Sequence, residues 1–489
     1  MLNSVREVRK EVDEMSKENK KKVGNMKFKK WWNKNIQEIH NRVILCYIKY
    51  RESNFNLDLK RQYYEAKREF RNQKRLNLKL RRDKNLRLIN NLFKNDRNSF
   101  WKKVRRMQRQ KSSVDVDMDK LKSHYENIFT KRNKNDTYND LFHERYVKEF
   151  IYQHQNTIFD YKIESQNMKK LIESLPNNKA VGINDEVFEV MINKQITPFI
   201  FNTSIIKPLI KNVKKSSSEI ENLKPIAISD CFSNLFEAVL LEELNKEHHD
   251  HPKQFGFKKN SSCQHAVWTL KQAIEFRKRM KKNTVVCSLD ASKAFDKVNR
   301  TILWRQLIER NIRPYLVVGL INYYNNSYMI INNKNLFSVS FKSIVGVKQG
   351  GKCSPKLFSI YLQTLLEIIS NNDTGIKINS TKIDIIAYAD DVLIISSSKY
   401  SLQKALDLVN KFGEDFEILF NPLQTFYIIF NPSCSNSQPE DIQLKLSGLN
   451  IQRADSLKYL GVELNEKNDD RKHIEHRIKS SRVALAKLK

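Results

Sequence analysis

Ile383-Asp-Ile-Ile-Ala-Tyr-Ala-Asp-Asp-Val-Leu-Ile-Ile-Ser396 is the stretch whose reading decides the fold. Two adjacent carboxylates, Asp390 and Asp391, separate the apolar run Ile385 to Ala389 from the run Val392 to Ile395, and both runs favour strands. The pattern is that of a buried hairpin with charge at its tip. Burying a carboxylate pair is costly unless something positive neutralises it, so the placement asks for a cation. An Asp pair standing alone between strands would read as an ordinary water-facing turn. A third carboxylate upstream, in the same setting, changes that reading.

Asp290 ends Asn283-Thr-Val-Val-Cys-Ser-Leu-Asp290, another short apolar strand. The following Ala291-Ser-Lys-Ala-Phe-Asp-Lys-Val-Asn299 places Ala294, Phe295 and Val298 on a helical stripe, so a helix is predicted there. A strand ending in a carboxylate and turning into a helix can aim that carboxylate at the tip of a neighbouring hairpin. Three carboxylates converging in this way suit two-metal phosphoryl transfer, in which ions about 3.5 to 4 Å apart clamp the attacking and leaving oxygens. Hard oxygen ligands favour Mg²⁺, with Mn²⁺ open, and no His or Cys is spaced for zinc.

Tyr388-Ala-Asp-Asp391 and Asp290-Ala-Ser-Lys-Ala-Phe-Asp-Lys-Val298 resemble the two palm signatures of reverse transcriptases, in the wording of the non-LTR (LINE-type) retrotransposon branch. Further segments carry the likeness in order. Leu175 to Asn184 is similar to the Lys-Ala-x-Gly-x-Asp element at the entry to the fingers, with Asn184 in place of the Asp. Only about twenty residues then precede the strand Ser204 to Lys211, short for the usual helices. Asn222 to Ser229 resembles Asn-Tyr-Arg-Pro-Ile-x-Leu with Lys224 at the triphosphate-binding Arg. Gln254-Phe-Gly-Phe-Lys-Lys-Asn-Ser-Ser262 matches a template-side motif. Gly346 to Phe358 resembles the next palm motif. There Gln349 is expected to line the template or nucleotide pocket, Gly350 and Gly351 to let backbone approach a base pair, and Ser354-Pro355 to start a helix.

The resemblance assigns further roles. Asp290, Asp390 and Asp391 would be catalytic metal ligands, with Ala291 offering a carbonyl. Phe295 would lie under the sugar and exclude a 2′-hydroxyl, or serve as a core aromatic, or both. Asp296 reads as a helix-terminal or salt-bridging residue. Tyr459, Leu460 and Gly461 of Leu457-Lys-Tyr-Leu-Gly-Val462 match the primer grip. Gln424 stands where the family places a Lys thought to protonate the departing pyrophosphate, and an amide cannot act as a general acid. Ser401 to Phe412 is predicted as a helix ended by Gly413.

The chain of 489 residues carries a formal net charge of +33. Such a field attracts polyanions, nucleic acid first. A membrane surface is the alternative, but no apolar run approaches the roughly 18 to 20 residues of a span, and the N-terminus does not read as a signal peptide. Six scattered cysteines form no Cys-x-x-Cys pair, against both a disulfide framework and a zinc knuckle. Residues 1–120 hold 35 basic and 15 acidic residues, and no Gly or Pro occurs from Asn25 to Leu175. A basic, mostly helical arm follows, with seams at Leu59, Tyr63, Ala66 and Phe70 and at Leu86, Ile89 and Phe93. Lys29, Lys30, Trp101, Lys102 and Arg105 combine phosphate-seeking cations with stacking aromatics and are predicted to bind nucleic acid.

These readings give an α+β right-hand polymerase behind a basic all-helical extension. The expected divisions are the extension at 1–115, a helical connector without catalytic residues at 116–170, fingers at 171–282, palm at 283–454, and primer grip with the start of the thumb at 455–489. By the resemblance the chain is a truncated LINE-type reverse transcriptase, without the upstream endonuclease and the rest of the thumb. It would copy an RNA template onto a DNA primer from deoxynucleoside triphosphates with two Mg²⁺ ions, in the nucleus or a cytoplasmic ribonucleoprotein. Oligomeric state is open. The rival readings are a catalytically inactive nucleic-acid-binding relic, and a relative such as a maturase or a telomerase-like enzyme.

Overall fold

The computed structural model describes residues 32–53, 56–97, 99, 114–130, 138–173, 185–199, 201–212, 215–431 and 442–488. Lys29, Lys30, Trp101, Lys102, Arg105 and the segment 175–184 lie outside them, as do the side chains of Leu86, Ile89 and Phe93. The chain divides into two units, residues 1–110 with 480–489 and residues 111–479.

In the first unit, α1 (Lys34–Glu52) and α2 (Leu57–Asn95) pair. Asn33 caps α1 by accepting from Ile36 N, and Asn56 caps α2. The predicted seam is real: Ala66 is buried, Phe70 packs edge-on to Trp32, and Tyr63 stacks on Tyr50.

The second unit begins with helices α3 (Met118–Thr130), α4 (Tyr138–His154), α5 (Ser165–Glu173) and α6 (Asp185–Asn193). Strands β1 (Asn202–Ile210) and β2 (Leu223–Ser229) follow, then α7 (Cys231–Glu247), α8 (Cys263–Arg279), β3 (Thr284–Leu289), α9 (Arg300–Glu309) and α10 (Pro314–Asn325). β4 (Ser327–Asn333) runs parallel to β1 and pairs with β5 (Leu336–Phe337) and β6 (Phe341–Lys342), completing the sheet β2-β1-β4-β5 with β6 on β4. After α11 (Ser354–Asn371) come β7 (Ile376–Ile378), β8 (Thr381–Ile383), β9 (Ile385–Tyr388), β10 (Asp391–Ser396), α12 (Lys399–Asp415) and β11 (Phe426–Phe430). The hairpin β12 (Lys445–Leu446) and β13 (Leu449–Asn450), β14 (Gln452–Arg453), the hairpin β15 (Ser456–Tyr459) and β16 (Val462–Asn465), and α13 (Arg471–Leu488) complete the chain.

The sheet that matters for the site has the order β14-β11-β3-β10-β9. Its central strand β3 buries Thr284 to Cys287 and Leu289, because apolar layers cover both faces. One layer, with Leu357, Tyr361 and Leu365 of α11 and Leu402, Leu406 and Val409 of α12, faces Val285 and Cys287. The other, with Leu270 and Ile274 of α8 and Leu457 and Leu464 of the last hairpin, faces Val286 and Ile428. Cys287 is buried and acts there as a small apolar side chain, while buried Cys353 also donates its thiol to Glu237 O at 2.8 Å. Among the described residues no helix is long and apolar enough to cross a membrane.

Residues on both sides of the expected divisions at 170, 282 and 454 lie in the one unit 111–479. Val147 and Met168 of the expected connector share a core with Leu289 and Leu357, and β4 to β6, from the expected palm range, complete the sheet begun by β1. The predicted helix over 291–299 is a run of turns. Lys293 takes φ of +51°, which breaks a helix, and Asn299 instead caps α9 by accepting from Thr301 N and Ile302 N. Gly413 does not end α12 but lies within it. A Cβ there would stand 2.7 Å from Ile418 O, so the glycine admits the returning backbone.

Candidate active site

The β3–β10 register pairs Leu289 with Val392, so the next pair outward is Asp290 and Asp391. In β9–β10, Tyr388 pairs with Asp391, leaving Ala389 and Asp390 as a two-residue turn with Ala389 at φ of +57°. The three carboxylates therefore meet at one end of the sheet and line one cavity of about 1120 Å³. Asp290 has its carboxyl raised above the usual range by burial and by Asp390, with Lys211 opposing. Asp391 is raised by partial desolvation and then by Asp390 and Asp290, with Lys224 opposing. Such mutual repulsion is relieved by a cation. Among the described residues no group of three His, Cys, Asp or Glu is close enough to hold a metal by itself.

The backbone around Asp290 is pinned by β11 and the loop before it. Asp290 N donates to Thr425 Oγ1 at 3.2 Å, Asn421 N to Asp290 O at 2.8 Å, and Ser292 N to Leu419 O at 2.9 Å. Ala291 pairs with Phe420 between the latter two bonds, and its own carbonyl takes part in neither.

The same cavity is lined by Lys224, Phe295, Gln349, Gly350, Gln424 and Leu460. Lys224 is exposed on β2, opposite Leu209 of β1. Phe295 is both cavity wall and core, stacked on Phe358 with ring centroids 4.5 Å apart. Gln424, in the slot of the family's proton-donating Lys, faces the same space.

The reading of Asp296 as a helix-terminal or salt-bridging residue is corrected. Asp296 neither ends a helix nor makes an ion pair among the described contacts; it is 2% exposed and accepts from Gln349 Nε2 at 2.8 Å. Burial pushes its carboxyl up to about 7, against the hydrogen bond from Gln349 and the nearby Lys293. Gln349 thus spends an amide N–H on Asp296, and among the described residues its buried Oε1 has no partner. The two glycines have protein neighbours: a Cβ on Gly350 would meet Ala227 O at 2.6 Å, and one on Gly351 would meet Glu237 Oε2 at 2.8 Å. Of the expected primer grip, Leu460 and Gly461 form the β15–β16 turn with φ of +47° and +83°, a two-residue turn of the type hairpins favour. Tyr459 points the other way, 3% exposed within the apolar layer, its hydroxyl without a partner among the described residues and held protonated by burial and by Asp391 and Tyr388.

Sequence reasoning missed three contributors. The supposed connector supplies His124, Tyr125 and Ile128 of α3 to the cavity, with the Tyr125 hydroxyl fully buried near Asp296 and without a partner among the described residues. Lys348 and Glu237 are both enclosed, 3.5 Å apart, with the Tyr323 hydroxyl donating to Glu237 at 2.7 Å. Glu237 also accepts from Cys353 N at 3.3 Å, so a buried carboxylate holds the N-cap residue of α11 behind the Gly350 loop. Arg300 binds that loop's approach, donating to Ser343 O at 2.7 Å and Gly346 O at 2.8 Å.

Residues 213–464 match the protein family described as "Reverse transcriptase (RNA-dependent DNA polymerase)". The chain is 24% identical over 252 residues to the Retrovirus-related Pol polyprotein from type-2 retrotransposable element R2DM of Drosophila melanogaster, covering 50% of this chain and 23% of that protein. It is 23% identical over 360 residues to the RNA-directed DNA polymerase from mobile element jockey of Drosophila melanogaster, covering 66% of this chain and 37% of that protein. Among solved structures, apo telomerase from Candida tropicalis, truncated from its C-terminal domain, overlaps 56% of this chain and 55% of its own at 14% identity, with a TM-score of 0.38. The chain thus spans less than two fifths of these two curated relatives. With the family match running through β2, β3, the Tyr388–Asp391 turn and the last hairpin, the chain belongs to the reverse transcriptase (RNA-dependent DNA polymerase) family.

Proposed function

We propose that this chain is an RNA-directed DNA polymerase of the non-LTR retrotransposon type, transferring a deoxynucleotide to a primer 3′-hydroxyl. The observation that carries the reading is the meeting of Asp290, Asp390 and Asp391 in one cavity with Lys224, Phe295 and Gln349. Reverse transcriptases use divalent metal ions, and the donor set here fits them: hard carboxylate oxygens whose repulsion a cation relieves. Mg²⁺ commonly takes one or two carboxylates plus substrate phosphates, which agrees with the want of an all-protein cage among the described residues. Asp290, Asp390 and Asp391 would hold the ions, with Ala291 O available. Two Mg²⁺ ions, or Mn²⁺, would supply Lewis acidity at the attacking and leaving oxygens.

The chain's own groups do the rest. Lys224, with Lys211 and Lys293 on the same wall, attracts the triphosphate. Phe295, braced by Phe358, would exclude a 2′-hydroxyl at this wall of the cavity. Gln349, one amide N–H tied to Asp296, lines the cavity wall next to Gly350. The template would be RNA and the primer DNA, and the setting nuclear or a cytoplasmic ribonucleoprotein, with the charge of +33 as support.

One observation favours a second reading, a binder without catalysis: Gln424 lines the cavity where a proton donor is expected. Extension of a DNA primer on an RNA template, with deoxynucleotides and Mg²⁺, separates the two. Template-directed product supports the polymerase; tight, salt-sensitive binding of the primed template without product supports the binder.

A further inference from the structure

Ala389, the residue before the carboxylate pair, is held at φ of +57° although it carries a Cβ. A non-glycine residue in the left-handed region persists only when its surroundings over-determine it. The surroundings here are the segment Lys253–Phe257, which lies outside the palm sheet. Its backbone runs beside β9, with Phe255 N donating to Ala387 O at 2.8 Å and Ala387 N to Lys253 O at 2.9 Å. Lys253 is anchored in turn on buried Asp384 at 2.5 Å. Gln254 is 1% exposed, and its Oε1 accepts from both Ala389 N and Gly256 N, each at 3.0 Å. Two donors converging on one atom fix the amide's orientation, since the flipped form would set NH₂ against two N–H groups. Gly256 completes the fit: a Cβ there would stand 2.5 Å from Ala389 N.

We infer that Gln254 is a positioning residue for the carboxylate turn, its side-chain oxygen holding Ala389 in the left-handed conformation that sets where Asp390 and Asp391 point. This rests on the polymerase reading for its catalytic consequence but not for its structural one. Gln254 touches no reacting atom; it acts through one backbone N–H. The role differs from simple packing, because an isosteric side chain without an acceptor would fill the space and still release the turn.

The test uses Gln254→Met, which keeps the volume and removes the acceptor, and the double variant Gln254→Met/Ala389→Gly, in which φ above zero costs nothing intrinsically. Hydrogen exchange of the peptide over 385–395, measured without nucleic acid, should quicken about tenfold at the turn in Gln254→Met, as expected for loss of one buried hydrogen bond. The primer-extension kcat should fall about 10²-fold, the scale of a misplaced catalytic group, with affinity for primed template unchanged. The double variant should recover most of that kcat. Unchanged exchange and unchanged kcat in Gln254→Met would overturn the inference, as would a double variant no better than the single one. If Gln254→Met does not fold, the wild-type protein decides: an Ala389 amide that exchanges as fast as an exposed loop contradicts the inference, and a protected one supports it. Altered exchange in a protein with no polymerase activity would sink the proposed function and leave the positioning role standing.

Discussion

Replacing Asp296 by asparagine should make the protein more stable, and increasingly so as the pH rises. Asp296 is 2% exposed, its carboxyl is pushed from 3.8 to about 7, and among the described residues its side chain's hydrogen-bond partner is the neutral amide of Gln349 at 2.8 Å. In the folded state the proton is held up to about pH 7; in the unfolded state it leaves near 3.8. Between those values the folded state binds more protons, so stability falls as pH rises through the window and is lost in full only above about 7. A shift of about three units corresponds to about 4 kcal/mol, of which roughly 2 to 3 kcal/mol falls between pH 5 and pH 8. The asparagine side chain can still accept from Gln349 Nε2 and carries no charge. Urea unfolding of wild type and Asp296→Asn at pH 5, 6, 7 and 8 should therefore give curves that diverge by that amount toward alkaline pH. Parallel curves would refute the buried, singly bonded carboxyl and with it the account of how Gln349 is oriented.

Arg300→Met should cost about 3 kcal/mol or more in urea unfolding, because it strips donors from the enclosed carbonyls of Tyr324, Ser343, Val345 and Gly346. A loss below about 1 kcal/mol would mean that water reaches those carbonyls and that Arg300 does not brace the Gln349 loop. Gln424→Lys, which places a proton donor in the cavity beside Asp290, should raise the single-turnover rate by about tenfold or more without changing template affinity. A rate no higher than wild type would show that this position is not where the leaving group takes its proton.

What could be read from the sequence was whatever one strand or one turn decides. The apolar runs flanking Asp390 and Asp391, and the one ending at Asp290, are continuous because β3 and β10 are covered on both faces, and that continuity marks buried strands. Ser354-Pro355 starts α11 as its residues alone imply. What was not legible rests with residues whose reasons lie far along the chain. Tyr125 reaches the cavity because α3 packs under β4 and β6, which no local pattern announces. Gly413 answers to Ile418, and Gly350 to Ala227 on another sheet. Tyr459 sits in a motif expected to meet the primer, yet strand alternation turns it inward, leaving Leu460 toward the cavity. Gln254 belongs to a segment whose likeness suggested template contact, while its side chain serves a turn 135 residues later.

The central claim is that Asp290, Asp390 and Asp391 together perform nucleotidyl transfer. Its most direct test is primer extension on an RNA template in Mg²⁺ with the wild type beside the single variants Asp290→Asn, Asp390→Asn and Asp391→Asn, with primed-template affinity measured for each. The account predicts extension by the wild type and its loss in every variant, on the order of 10³-fold or more, with binding retained. A variant such as Asp390→Asn that extends the primer as well as the wild type would contradict it.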